Sequence, residues 1–282
     1  MLASTIFIRR GLCTFPHFLE KMLHYKTFRH SEQSPWVTFI HGAGGSSSIW
    51  FKQIRDFKGG YNILLVDLRG HGNSKSHEQK KNFFPTYTFH SISEEVVEVL
   101  DHLKIAQSHF VGISLGTIII REIAENHPDR VGKMIMGGAI VKLNTRGQFL
   151  IKLGVIFKSV VPYILLYKLF AWIILPKKKH KESRSLFVRE ARKLYQKEFI
   201  RWFKLAAEIN PLLRAHREYL SPHDTLFIMG DEDHMFLPSI KKLVGLSNGQ
   251  AHLQIIPQCG HVVNVERPVA FNHQVLQFLG KA

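Results

Sequence analysis

The chain has 282 residues, 45% of them hydrophobic and 21% charged, with 11 Pro and 20 Gly; this excludes disorder, collagen-like repeats and low-complexity scaffolds, and fits one large domain or two small ones. Two cysteines, Cys13 and Cys259, exclude a disulfide framework, and neither sits at zinc-ligand spacing, so a reducing, cytoplasmic setting is expected. Lys and Arg number 38 against 22 Asp and Glu, a formal +16, yet no helix-turn-helix, finger or aromatic RNA-binding signature accompanies the charge, which argues against nucleic acid as the partner.

In chain order, the apolar Met1–Ile8 precedes Arg9 and Arg10, the reverse of a secretory signal. Short β-branched or apolar runs then predict strands at Met22–Phe28, Trp36–Ile40, Tyr61–Val66, Ser108–Gly112, Lys133–Gly137, Thr225–Met229 and His252–Ile256. Helical patterns lie between them at Ser46–Phe57, Ile92–Leu103, Leu115–Asn126, Pro238–Val244 and Pro268–Leu279. Strand alternating with helix is the pattern of an α/β fold, a mostly parallel sheet covered by helices on both faces.

The alternation stops at residues 142–217. They hold 18 basic and 4 acidic side chains, leaving 20 against 18 in the rest of the chain. Phe187, Ala191, Leu194, Tyr195, Phe199, Trp202, Phe203, Ala206 and Ile209 recur at helical spacing, with Arg189, Arg192, Lys193, Lys197, Arg201 and Lys204 between them. The segment reads as a helical cap with a basic outer face, inserted between core parts 1–141 and 218–282. Its greasiest stretch, Phe149–Leu175, is interrupted by Lys152, Lys158, Pro162 and Lys168, so no membrane span is predicted. Lys177-Lys178-Lys179-His180-Lys181 follows that stretch, and an apolar face beside cations suits an anionic membrane surface or an acidic acyl-carrier protein.

Gly112-Ile113-Ser114-Leu115-Gly116 follows a strand and opens a helix. Small residues two places either side of the serine permit a sharp strand-to-helix turn that presents its hydroxyl, which makes Ser114 the candidate nucleophile; the competing reading is a structural turn. A serine needs a base, and the base an orienting acid. His261, in Gln258-Cys259-Gly260-His261-Val262 just beyond the last strand, is the best of 17 histidines, ahead of His234, His252 and His273. For the acid, Gly230-Asp231-Glu232-Asp233-His234 follows the preceding strand; Asp233 is preferred to Asp231, although spacing does not separate them. Oxyanion donors come from backbone N–H groups: that of Leu115 at the helix start, and that of Ala43 in the Gly-rich turn His41-Gly42-Ala43-Gly44-Gly45. The same turn lacks the pattern of a phosphate-binding or dinucleotide loop.

These motifs, with Asp67-Leu68-Arg69-Gly70-His71-Gly72-Asn73-Ser74, stand in an order that resembles the α/β-hydrolase superfamily, in its cap-bearing esterase and lactonase branch. The resemblance implies the α/β-hydrolase fold, the chain order Ser114, Asp233, His261 for the triad, and loop architecture for Asp67, Arg69 and His71. Serine at the nucleophile position argues against the dehalogenase and epoxide hydrolase branches, which use aspartate. The expected activity is hydrolysis of an ester, thioester or lactone of a small or medium apolar substrate, with no metal or organic cofactor. Perhydrolysis, C–C bond hydrolysis and a non-catalytic ligand receptor are the alternatives on the same fold.

Overall fold

A computed structural model describes residues 22–74, 87–142, 161–207, 209–218, 221–247 and 249–280. Met1–Ile8, Cys13 and the part of the expected cap from 143 to 160 therefore lie outside the described residues.

Seven strands form one sheet: β1 (Tyr25–Phe28), β2 (Trp36–Ile40), β3 (Asn62–Val66), β4 (Ser108–Ile113), β5 (Val131–Gly137), β6 (Thr225–Gly230) and β7 (Ala251–Ile256). Their spatial order is β1-β3-β2-β4-β5-β6-β7, and every pairing is parallel except β1 with β3. Side chains that alternate along a strand point to opposite faces, and here both faces are covered. Val37 and Phe39, Ile63 and Leu65, Leu226 and Ile228 enter one core layer, under α1 (Phe51–Phe57). Ile40, Leu64, Val66, Phe110, Phe227 and Met229 enter the other, under α2 (Phe89–His102) and α3 (Leu115–Asn126). That two-sided burial is why the strands read as continuous apolar runs.

Element ends shift where a side chain claims a backbone group. The first strand begins at Tyr25 rather than Met22, because the His24 N–H donates to Ser74 Oγ at 2.8 Å and its ring meets Asp67 Oδ2 at 3.0 Å. The helix expected from Ser46 opens as a 3-10 turn, Ser47–Trp50, before α1. The second helix starts at Phe89, earlier than periodicity suggested, since Thr88 and Ser91 form a reciprocal cap.

Between β5 and β6 the described residues form four helices, α4 (Tyr163–Ile174), α5 (Lys181–Ala191), α6 (Gln196–Ala207) and α7 (Asn210–Glu218). Leu166, Tyr167, Ala191, Leu194, Phe199 and Phe203 make their own apolar cluster, while Lys197, Arg201 and Lys204 face outward. Tyr195, expected on the apolar side, is exposed. Two further helices, α8 (Leu237–Gly245) and the single turn α9 (Val263–Glu266), precede the last, α10 (Pro268–Leu279). Among the described residues no helix is long and apolar enough to cross a membrane.

Candidate active site

Ser114 sits between β4 and α3 with φ 53° and ψ −120°, a conformation that a non-glycine residue holds only when its surroundings enforce it. Two features enforce it. The Ser114 N–H donates to Gly137 O at 2.9 Å, and Gly116 lets α3 run hard against β2, where an added Cβ would lie 2.4 Å from Ile40 O. The turn leaves Ser114 half-buried at the carboxyl edge of the sheet.

Two loops from the far strands meet it there. His261, on the loop after β7 and 2% exposed, has Nε2 2.9 Å from Ser114 Oγ and Nδ1 2.7 Å from Asp233 Oδ2. Asp233, after β6 and 1% exposed, accepts at Oδ2 from the ring and at Oδ1 from the Phe236 N–H, 3.3 Å. A carboxylate has no proton to give, so Nδ1 carries the ring hydrogen and Nε2 is left to accept from the serine hydroxyl. The Phe236 ring, 5.0 Å from the imidazole, walls off this pair.

The competing acids and histidines go elsewhere. Asp231 Oδ1 accepts from Cys259 N–H at 3.1 Å and so holds the loop that carries His261. Glu232 faces the helical insertion, with Lys177 Nζ at 2.8 Å, Lys179 Nζ at 2.6 Å and the buried His180 Nε2 at 3.0 Å. Burial raises the Glu232 pKa, but the hydrogen bonds from Lys177, Lys179 and His180 outweigh it and bring it down to about 2. Part of the expected cationic cluster is thus paired with the core. His234, His252 and His273 are exposed.

The His41–Gly45 turn lies directly against the serine: a Cβ added to Gly42 would stand 3.1 Å from Ser114 Cβ. Two histidines hold this turn: His71, expected to belong to loop architecture, and His41, whose bracing role sequence reasoning missed. His41 is fully buried; its Nδ1 donates to Gly42 O at 2.8 Å and its Nε2 accepts from Leu68 N–H at 3.0 Å. Burial lowers its pKa against the opposing pull of Asp67, so it stays neutral and can play both roles. His71 accepts from Gly44 N–H at 2.9 Å and faces Arg69 O at 3.0 Å. Asp67 accepts from Ser47 N–H at 2.6 Å and Asn73 N–H at 2.9 Å, and Arg69 pairs with Glu95 at 2.8 Å. The segment Asp67–Ser74 braces the turn, as expected. Among the described residues no hydrogen bond engages the Ala43 N–H, and the N–H of Leu115, first in α3, is one that a helix leaves without an internal partner.

Above Ser114 and Leu115 opens a cavity of about 170 Å³, walled by Tyr167, Phe170 and Ile173 of α4, Phe187 of α5, and Phe199 and Phe203 of α6. The arrangement is an alcohol hydrogen-bonded to an imidazole, with unengaged N–H donors beside it and an apolar chamber over it. A separate group, Glu122 and Glu125 of α3 with His216 of α7, has metal-ligand spacing, its ring nitrogen 3.0 and 3.2 Å from the two carboxylates. Those are hydrogen-bonding distances, and the group joins the insertion to the core.

A family model described as the alpha/beta hydrolase fold matches residues 35–163. The chain is an α/β-hydrolase-fold protein. Over 121 residues it is 31% identical to 3-oxoadipate enol-lactonase 2 of Acinetobacter baylyi, an alignment covering 43% of each chain. Over 247 residues it is 26% identical to the dihydrolipoyllysine-residue acetyltransferase component of the acetoin cleaving system of Pseudomonas putida, covering 87% of this chain and 63% of that one. The chain thus spans less than two thirds of the length of either relative. Among solved structures, the enol-lactonase from Burkholderia xenovorans LB400 superposes with a TM-score of 0.75 at 20% identity, over 92% of this chain and 96% of that one. These likenesses establish the α/β-hydrolase fold.

Proposed function

We propose that the protein is a serine hydrolase that cleaves a carboxylic ester, thioester or lactone of a small or medium apolar substrate through an acyl-enzyme. The observation that carries this reading is the continuous relay Ser114 Oγ to His261 Nε2, 2.9 Å, and His261 Nδ1 to Asp233 Oδ2, 2.7 Å, opening into an apolar chamber. An enol-lactonase among the relatives and another among the structural neighbours support the ester-like bond class.

In the first step His261 takes the Ser114 proton as Oγ attacks the substrate carbonyl, and buried Asp233 stabilises the resulting imidazolium and keeps the ring in place. Negative charge develops on the carbonyl oxygen, which the N–H groups of Ala43 and Leu115 receive; the start of α3 adds its dipole. His261 then gives its proton to the leaving alcohol, thiol or ring oxygen. Water enters, loses a proton to His261, attacks the acyl carbon, and the acid departs with Ser114 restored. The helices α4 to α6 act as a cap that encloses the acyl or alcohol chain and keeps bulk water from the ester.

The test is Ser114→Ala against p-nitrophenyl esters, with a fluorophosphonate probe read by mass spectrometry. Wild-type protein should gain the phosphonyl mass on Ser114, and the variant should lose both labelling and turnover, the latter by a factor on the order of 10⁴ to 10⁶. Turnover that survives in Ser114→Ala overturns the reading.

A further inference from the structure

One polar contact between the cap and the core ends on the turn that faces Ser114. The Tyr167 hydroxyl, from α4, donates to Ala43 O at 2.5 Å across 124 positions of sequence. The peptide unit joining Ala43 to Gly44 is therefore held at both polar ends, its carbonyl by Tyr167 and its N–H by His71. The unit before it is held by its carbonyl alone: Gly42 O receives His41 Nδ1–H at 2.8 Å and Gly45 N–H at 3.0 Å, which leaves the Ala43 N–H to a ligand. Peptide planes are rigid, so turning one about the shared Cα re-aims the next. Of the four bonds that fix these two planes, three come from the core and one from the cap.

Tyr167 is built to hold that bond. It is 5% exposed, with its ring 4.6 Å from that of Phe187 and edge-on to Phe199 at 6.1 Å. Gly44, at φ +68°, leaves the space it needs; a Cβ there would lie 2.1 Å from the tyrosine oxygen. Burial, and then the charge of Glu190, push the phenol pKa well up, so it remains a donor across the neutral range. The same ring lines the chamber over Ser114.

We infer that Tyr167 is a positioning residue that couples seating of the cap to the aim of the Ala43 N–H, so that the oxyanion donor is fully set only with the cap closed over the substrate chain. The inference rests on the ester-hydrolase reading and deepens it: a substrate that fills the chamber and holds the cap down also completes the donor pair, whereas one too short to reach α4 reacts with an incompletely aimed site.

Tyr167→Phe keeps the ring and removes the donor. On p-nitrophenyl hexanoate it should lower kcat about tenfold or more while KM stays within about twofold. Fluorophosphonate labelling of Ser114 should slow by the same factor, because the phosphoryl oxygen occupies the oxyanion position, and the melting temperature should stay within about 2 °C. Ile173→Ala, which alters only the chamber wall on the same helix, should show the opposite split and raise KM. Wild-type protein that neither labels nor turns over defeats the ester-hydrolase reading. Wild-type protein that does both, with Tyr167→Phe equal to it in kcat and labelling, overturns the coupling, as does a variant that loses KM and kcat together with a lowered melting temperature.

Discussion

The three adjacent acids Asp231, Glu232 and Asp233 face three different partners, the Cys259 backbone, Lys177 and Lys179 of the inserted segment and the His261 ring. Removing each should therefore give a different failure. Asp233→Asn keeps the shape but lets the amide favour the wrong imidazole tautomer, and kcat should fall by roughly 10⁴ with the fold intact. Asp231→Ala should leave kcat within a few-fold and cost about 1 kcal/mol in chemical denaturation, the usual worth of one backbone hydrogen bond. Steady-state kinetics and denaturation curves on the two variants separate the roles. Ser114 and His261 were legible because each stands in a local pattern, a strand followed by a small-residue turn. Which neighbouring carboxylate meets the ring was not legible from spacing, since a shift of two residues in a loop changes the direction a side chain points; Asp233 was preferred to Asp231 without a spacing argument to separate them. His41 was read only as part of a Gly-rich turn. Its bonds to Gly42 O and to Leu68 N–H, 27 positions away, are set by the fold.

At the scale of elements, α3 and β2 are packed as tightly as backbone permits. Gly116→Ala places a methyl against the Ile40 carbonyl, which cannot rotate away; overpacking of this kind costs on the order of 1–3 kcal/mol, and because the lifted element begins at Ser114, activity should fall further than stability. Comparison of denaturation midpoints with kcat checks this. The helices α4 to α6 set the chamber's size. At about 170 Å³ it resembles in volume the engineered apolar cavity of about 150 Å³ that accepts benzene. In a p-nitrophenyl ester series, kcat/KM should rise roughly fourfold per methylene and stop rising at about six to eight acyl carbons. The periodicity of Phe199, Trp202 and Phe203 announced these apolar faces. It gave no sign that Glu190 and Glu198, at 3% and 0% exposed, turn inward too. Their partners, Ser46 Oγ at 2.8 Å and Tyr87 Oη at 2.5 Å, lie 144 and 111 positions away, and a charged residue in a basic helix reads as solvated until such a partner is known.

For the whole molecule, acid should act in two stages. Burial lowers the pKa values of His41, His109 and His223, so each of the three takes up a proton more readily in the unfolded chain just below its ordinary value. Stability conferred by keeping them neutral is complete above about pH 6.5 and is lost progressively as pH falls below it. Glu232, held at about 2 by its lysine and histidine partners despite burial, contributes above the ordinary glutamate value of about 4.5 and loses that contribution between there and about pH 2. Glu95, raised by burial to about 7, takes up its proton more readily in the folded chain and offsets the histidines between about pH 7 and 4.5; the melting temperature should therefore fall most steeply below about pH 4.5, and Glu232→Gln should flatten that part of the curve.

The parallel pairing of β5 with β6, Met134 beside Thr225 and Gly137 beside Ile228, spans the entire inserted segment. Closing so long a loop carries an entropic penalty that must be met before the pairing returns anything, and pairings of this kind form slowly. Both partners of the serine lie beyond that junction. On a ribosome Ser114 emerges well ahead of residues 233 and 261, and until the last two strands dock it is an ordinary alcohol, incapable of being acylated at any useful rate. The order of the chain thus leaves the contact of Ser114 with His261, and of His261 with Asp233, to be made last, when the two final strands dock.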